Sequence, residues 1–413
     1  MELKIRNVGK IDSADIELKG ITIIAGLNGT GKSTVSRSLF AIFHSFSNIS
    51  HKIRLEKEDA IKRQLEYSGD MSIMMHNVRM LAASLVGYTD ENSIKEILTS
   101  SSGMVESPGM AYLIKKIIMI NSTYDTSLLR ESVLENFKEE FNGNIANIRN
   151  SKESEFELKV KDLKIKVIFD NRDEVVELEN EKELVHEVVY IDDPFIIDSY
   201  NTRGIKQEYY HNGYLITRNH RETLLLQYIN NKNLTLVDKA NIKDKLKVIY
   251  KKINDTLGSD MSLFETDNDD NMSRGTRTKG LSLDSLSSGM KTFYLIKSLI
   301  DNGTIVQNGT LILDEPEVHL HPDWQVTLAE VIVLLQREMG LHILINTHSP
   351  YFLRAIEVFS GKYDTEDVVK YYLSYNEGDN ARMKDVTFNI SEIYKILSGP
   401  LQRIENEGYN DRD

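Results

Sequence analysis

The chain of 413 residues contains no cysteine, which excludes disulfides and thiolate metal sites without fixing the compartment. It also lacks any run of about 18 uncharged apolar residues, so no segment reads as a membrane-spanning helix. Met1 to Gly20 alternates apolar with charged residues and has no uninterrupted apolar stretch, so it does not read as a signal peptide, and the expected location is cytoplasmic. An excess of positive charge is missing too. With 50 Lys and Arg against 63 Asp and Glu the net charge is -13, which opposes tight non-specific binding to nucleic acid. A local basic patch in a dimer groove stays open. Low-complexity segments are absent. What remains, 40% hydrophobic and 27% charged residues, is the balance of a soluble globular protein. The length suits two or three domains, or one core with a large insertion.

The chain is organised around Gly26-Leu27-Asn28-Gly29-Thr30-Gly31-Lys32-Ser33, followed by Thr34. This fits G-x-x-x-x-G-K-[ST], a loop whose backbone N–H groups cradle phosphates, whose lysine reaches the terminal phosphates and whose hydroxyl holds Mg²⁺. By chance the four fixed positions would occur in only about one chain in a hundred of this length. The context fits as well. Ile21 to Ala25 is a short β-branched run suited to a buried strand, and Val35, Leu39 and Phe43 recur at helical spacing. Strand, glycine loop and helix together aim a helix N-terminus at an anion.

Elsewhere the periodicity alternates between classes. Leu3–Val8 and Ala14–Leu18 read as two antiparallel strands ahead of the loop. From about 44 to 150 the pattern is helical, as at 61–67, 78–86 and 128–141, with breaks at Thr99–Gly103 and Ser107-Pro108-Gly109. Met71, Met74, Met75 and Met80 read as core filler. Strands follow at 156–160, 163–169 and 175–178, with Asp170–Asp173 as a turn. Val188–Ile191 leads into Asp192-Asp193-Pro194, either carboxylates at the open end of a strand or a polar turn that ends it. Residues from about His220 to Leu257 are helical, without a sustained heptad. Asp267–Asn271, followed by Arg274, Arg277 and Lys279, reads as a solvated loop without the glycine and glutamate of a calcium-binding loop.

Three further motifs fall within about 70 residues. Leu286-Ser287-Ser288-Gly289-Met290-Lys291 precedes a helical run from Thr292. Leu311-Ile312-Leu313 delivers Asp314 and Glu315 to a strand end, where Asp314 suits Mg²⁺ through water and Glu315 suits orienting and deprotonating an attacking water. His342 to Pro350 is another buried strand ending in a polar turn, in which His348 can donate to a γ-phosphate. Glu317, His319 and His321 raise a metal alternative. The two histidines lie two residues apart, however, not at the i, i+4 spacing of metal-binding helices, and Pro322 onward reads as a helix start.

This order of motifs resembles the ATP-binding-cassette ATPases. The runs from Leu311 to Gln325 and from Leu344 to Pro350 resemble more closely the soluble bacterial members: heads of the RecF and chromosome-maintenance types, overcoming-lysogenisation-defect ATPases, and ATPases of the Septu, PARIS and retron-associated phage-defence operons. The resemblance implies an α/β fold, an ABC-type P-loop ATPase head with a mixed sheet and a largely helical insertion. The core is then 1–43, 151–200 and 281–413, with 44–150 and 201–280 as mainly helical insertions. It implies ATP and Mg²⁺ as cofactors, with Asn28, Gly29, Thr30, Gly31, Lys32, Ser33 and Thr34 around the nucleotide and Ser33 and Asp314 at the metal. Glu315 would be the base, His348 the switch histidine and Lys32 the catalytic lysine. Ser287 and Gly289 would close over the nucleotide of an opposite subunit, although Ser288 stands where the family has glycine. The implied assembly is a homodimer or higher even oligomer with a separately encoded effector, nuclease or toxin. Only 65 residues follow His348, too few for the nuclease domain of the overcoming-lysogenisation-defect proteins. An ATP-gated DNA-binding or repair module and a transporter subunit are the alternatives. The former predicts salt-sensitive duplex binding with ATP, and the latter a surface for docking membrane helices.

Overall fold

The computed structural model describes residues 1–69, 78–147, 152–180, 182–201, 219–229, 234–257, 286–400 and 403–404. Met71, Met74 and Met75, and the acidic loop from Asp267 with Arg274, Arg277 and Lys279, lie outside these residues.

An eleven-stranded mixed sheet carries the fold. In chain order its strands are β1 (Glu2–Val8), β2 (Ile11–Glu17), β3 (Ile21–Gly26), β4 (Ser154–Val160), β5 (Leu163–Phe169), β6 (Val175–Asn180), β7 (Val188–Ile191), β8 (Thr310–Asp314), β9 (His342–Thr347), β10 (Val369–Glu377) and β11 (Asn380–Asp385). Across the sheet they run β6-β5-β4-β1-β2-β11-β10-β3-β9-β8-β7. One half, β10-β3-β9-β8-β7, is parallel. In the other, β6-β5-β4-β1-β2 is antiparallel and β11 joins β2 in parallel; the antiparallel strands carry charge pairs such as Lys166–Glu177 at 3.0 Å, the alternation expected of a sheet with one wet face. The β10–β11 hairpin lies between β2 and β3, so the C-terminal part of the chain flanks the first phosphate-loop strand.

The parallel strands are buried on both faces, which their continuous apolar runs require. Successive residues then serve opposite layers. Ile24, Ile312 and Leu344 pack with Val35, Leu39, Phe40 and Phe43 of α1 (Lys32–Phe46) on one side. Ile23, Leu313 and Ile345 pack on the other with α10 (Ser288–Asp301), α11 (Pro322–Met339) and α12 (Pro350–Lys362). Between α1 and β4 come α2 (Ile49–Tyr67), α3 (Val78–Leu85), α4 (Glu91–Ser102), α5 (Pro108–Asn121) and α6 (Asp125–Glu140). The end of α2 builds a separate apolar cluster with α3 to α5, whereas α6 packs Val133 and Phe137 into the α1 layer. Helices α7 (His220–Ile229), α8 (Leu236–Lys245) and α9 (Lys247–Leu257) precede α10, and Leu224, Ile249 and Ile253 join its core. A short helix, α13 (Ser391–Leu397), closes the described fold.

Two local expectations change. Thr99 to Ser102 form the last turn of α4 and not a break. Their hydroxyls bond back to carbonyls a turn earlier, as Ser102 Oγ does to Leu98 O at 2.6 Å, and the left-handed Gly103 ends the helix. Met80 is 71% exposed and not core filler, because α3 turns Leu81, Ala82 and Leu85 inward instead.

One buried polar cluster ties the inserted helices to the sheet. His220, the first residue of α7, places Nδ1 2.8 Å from Glu140 Oε1 at the end of α6 and Nε2 3.0 Å from Asp192 Oδ2 just after β7, with its ring stacked on Tyr190 at 4.2 Å. Burial disfavours the charged ring, but the hydrogen bonds and charges of Asp192 and Glu140 together outweigh it and raise the His220 pKa to about 9. Because this pKa is raised on folding, its stabilisation is complete below 6.5 and is lost as pH rises through about 9. Wild-type stability should therefore fall by on the order of 3 kcal/mol across that window. Denaturant titrations against pH check this: the fall should vanish in His220→Asn, and a flat wild-type profile would mean the ring is neutral.

Candidate nucleotide site

The loop after β3 is shaped by close approach. A side chain at Gly26 would put its Cβ 2.2 Å from the backbone oxygen of Ser374 on β10, so the loop leaves its strand where only glycine fits. Ser374 Oγ then donates to Thr30 O at 2.6 Å, and Thr30 Oγ1 donates to Leu27 O at 2.8 Å. Gly31 adopts φ 86° at the N-cap of α1, where no side chain caps the helix; Thr34 and Val35 bond back to Gly31 O, which leaves the N–H groups of Lys32 and Ser33 as anion donors. Leu27, Asn28, Gly29 and Ser33 are exposed and Thr34 is partly so. A side chain at Gly29 would meet no atom within 4 Å. The loop is thus an open cradle built on a packed base, which fits a triphosphate.

Lys32 is buried, and its Nζ donates to Gly26 O and Leu27 O at 3.1 Å each. Burial lowers its pKa, opposed by Glu315, Asp314 and Glu317. Nζ lies 3.8 Å from Glu315 Oε1.

The neighbouring strands bring the acids to the same sheet end. Asp314, the last residue of β8, is buried. Its Oδ1 accepts from Asn346 Nδ2 at 2.9 Å and its Oδ2 from the Tyr190 hydroxyl at 3.1 Å. Asn346 Nδ2 also donates to Ser36 Oγ of α1 at 2.8 Å. Burial and the Asp314 carboxylate hold the Tyr190 hydroxyl protonated, well above the ordinary phenol pKa. Glu315 follows in the left-handed region at φ 51°, an uncommon conformation for a non-glycine residue, with its N–H bonded to Asn346 O at 2.9 Å. The turn directs Oε1 to within 3.3 Å of His348 Nδ1, just beyond β9. Lys32, Asp314, Glu315 and His348 therefore converge from three adjacent parallel strands. A set of hydrogen-bonded acids beside an open hydroxyl-bearing loop fits a magnesium nucleotide.

Ser287 is exposed and caps α10, accepting from Met290 N at 3.4 Å. Gly289 is buried, and a Cβ there would come within 2.7 Å of Trp324 and 2.9 Å of Leu320, so this chain's own packing already requires glycine. The three residues of the metal alternative point to different tasks: His321 caps α11, His319 packs its edge on Phe195, and Glu317 turns to the β9 end. Asp192 and Asp193 line a cavity of about 270 Å³ with Asp314, Glu315 and Arg221. The parallel register pairs Ile191 with Leu313, which sets the two acid pairs side by side. Tyr190, Asn346, Ser36 and His220 have no assigned task in the motif reading, and Glu317 enters it only as a metal alternative. A lone polar residue inside each buried strand, Tyr190 in β7 and Asn346 in β9, is the signal that was available for two of them.

Residues 210–354, about a third of the chain, match the family model described as "AAA domain, putative AbiEii toxin, Type IV TA system". Over 86 residues the chain is 36% identical to the "Septu protein PtuA" of Bacillus thuringiensis. That match covers 18% of this chain and 21% of the relative. Septu is among the phage-defence systems whose ATPases the motifs resemble. A Smc head domain with an extended coiled coil, bound to the C-terminal domain of ScpA, from Pyrococcus furiosus aligns over 96% of this chain and 98% of its own at 10% identity and a TM-score of 0.39. An ATP-binding cassette of an ABC transporter in its ADP conformation aligns over 97% and 96% at 11% identity and a TM-score of 0.32. At such scores the fold rests on this chain's own strand order and phosphate loop, which make it a mixed α/β fold with a P-loop between β3 and α1.

Gly26→Ala should force β3 and β10 apart, costing about 1–3 kcal/mol of stability, the usual range for overpacking. Thermal unfolding with titration of a fluorescent ATP analogue checks this, and a variant with wild-type stability and affinity would contradict the packed base.

Proposed function

We propose that the protein is an ATP-hydrolysing switch that pairs head to head on ATP and controls a separately encoded effector, a nuclease or toxin, in bacterial phage defence. The convergence of Lys32, Asp314, Glu315 and His348 on the open loop carries the catalytic part of this reading. The local similarity to a Septu protein supports the setting. Under this proposal Asn28, Gly29, Thr30 and Gly31 supply backbone donors around the phosphates, and Ser33 and Asp314 hold Mg²⁺, with Thr34 beside them. When bound, the ion neutralises phosphate charge during transfer. Lys32 exchanges its two backbone acceptors for the terminal phosphates. Glu315 orients the attacking water and accepts its proton, and His348 donates to the γ-phosphate while holding the Glu315 carboxylate.

The same proposal gives Ser287 and the backbone at Gly289 to the nucleotide of the partner subunit, so each site is completed by dimerisation. The division into a core of 1–43, 151–200 and 281–413 with helical insertions between leaves the α2–α5 layer as the output element. A cytoplasmic location accords with this. Among the described residues no helix is long and apolar enough to cross a membrane. The net charge of -13 weighs against nucleic acid as the partner.

Glu315→Gln should bind ATP while losing about 10²–10⁴-fold in turnover, the usual worth of a positioned base. Its mass in light scattering should double on adding Mg²⁺ and ATP. A variant that hydrolyses like wild type would remove Glu315 as the base, and a persistent monomer would remove the pairing model.

A further inference from the structure

Glu317 is an ionisable residue at the site to which the catalytic reading gives no task. It is 3% exposed, and among the described residues no Lys, Arg or His side chain forms an ion pair with it within 4 Å. Buried carboxylates are normally paired, because stripping water from the charge costs several kcal/mol unless a partner offsets it. One oxygen does have work. It accepts from the hydroxyl of Thr347, at a short separation, and from the His348 N–H at 3.2 Å. The other, Oε2, is buried and accepts no hydrogen bond among the described residues. Burial raises the pKa of Glu317, opposed by the bonds from Thr347 and His348.

The two contacts join the turn after β8 to the turn after β9. Two residues earlier on the same turn, Glu315 places Oε1 3.3 Å from His348 Nδ1. The His348 ring thus lies beside Glu315 while its backbone is bonded to Glu317, with Pro316 stiffening the link between the two acids. Thr347 carries the tie further. Its Oγ1 accepts from Ser349 N at 3.0 Å, and Ser349 Oγ donates to Gln325 Oε1 of α11 at 3.1 Å while capping α12 at Phe352 N.

We infer that Glu317 is a positioning residue that fixes His348 against Glu315, acting through its hydrogen bonds to Thr347 and His348 and not on the nucleotide. This deepens the proposed ATPase reading and rests on it. A glutamine can accept the same two hydrogen bonds; an alanine cannot.

Turnover and ATP affinity of Glu317→Gln, Glu317→Ala and Thr347→Val test the inference. Glu317→Ala and Thr347→Val should lose about a hundredfold in kcat, the scale of a 1 Å misplacement, with ATP affinity within about twofold of wild type. Glu317→Gln should stay within about threefold of wild type, since geometry is retained. Thr347→Val nearly conserves volume and serves if Glu317→Ala fails to fold. Wild-type turnover in Glu317→Ala or in Thr347→Val would overturn the inference, as would a Glu317→Gln as inactive as Glu317→Ala, which would assign the effect to charge. A second readout needs no hydrolysis. In nucleotide-free, ¹³C-histidine-labelled protein, the His348 signal, identified by its loss in His348→Ala, should move in Glu317→Ala and Thr347→Val and stay in Glu317→Gln. An unmoved signal in Glu317→Ala or Thr347→Val overturns the positioning role. Absence of wild-type ATPase activity alongside the expected shifts would instead overturn the catalytic reading.

Discussion

The side-chain amide of Asn346 is the junction on which the site depends. Its two N–H bonds are both used, one to Ser36 at the first helix and one to Asp314 on the adjacent strand, while its backbone oxygen receives the N–H of Glu315. One buried residue thereby locks three elements, and its β9 neighbours on either side are the strands that begin the phosphate loop and end in the acids. Bonds of this kind are individually modest, about 1 kcal/mol net, but breaking a buried one leaves its partner unsatisfied at a higher cost.

From that junction the electrostatics are graded. Each Asp314 oxygen accepts one bond, from Asn346 and from Tyr190, which fixes the direction of the carboxylate. Glu315 is held loosely, at 3.3 Å from His348 and 3.8 Å from Lys32. The left-handed backbone at Glu315 sits between the two, a local strain compensated by the Asn346 bond and the buried turn around it. Farther out, Tyr190 stacks on His220, which bridges Glu140 of the inserted helices to Asp192 beside the acid strand. The end of α6 and the candidate site thus share a continuous buried polar contact.

Much of the fold was legible along the chain, because strands and helices announce themselves by period. β7 falls at Val188–Ile191 as read, and β5 at Leu163–Phe169, since both are bounded by polar turns. The hydroxyl-rich end of α4 misled because serine and threonine also favour turns. The deciding factor is whether their hydroxyls find a carbonyl within the helix, and here they do. Met80 misled for a different reason: helical position, not residue type, decides which face is buried.

By itself the sequence determined the chemistry that is local in the chain: the glycine loop that begins a helix, the two acids at the end of an apolar strand, and the histidine after the next. Each is set by side-chain type and by the few residues on either side. Only the tertiary structure decided that β9 runs between the β3 and β8 strands, that the C-terminal hairpin enters beside β3 and makes Gly26 obligatory, and that Asn346, Tyr190 and Glu317 hold the acids and the histidine. Those relations include residues 344 positions apart, as in the Ser374 bond to Thr30, and depend on strand order and register. Neither is encoded in local periodicity, because strand pairing is a choice among distant partners made by the packing of the whole core.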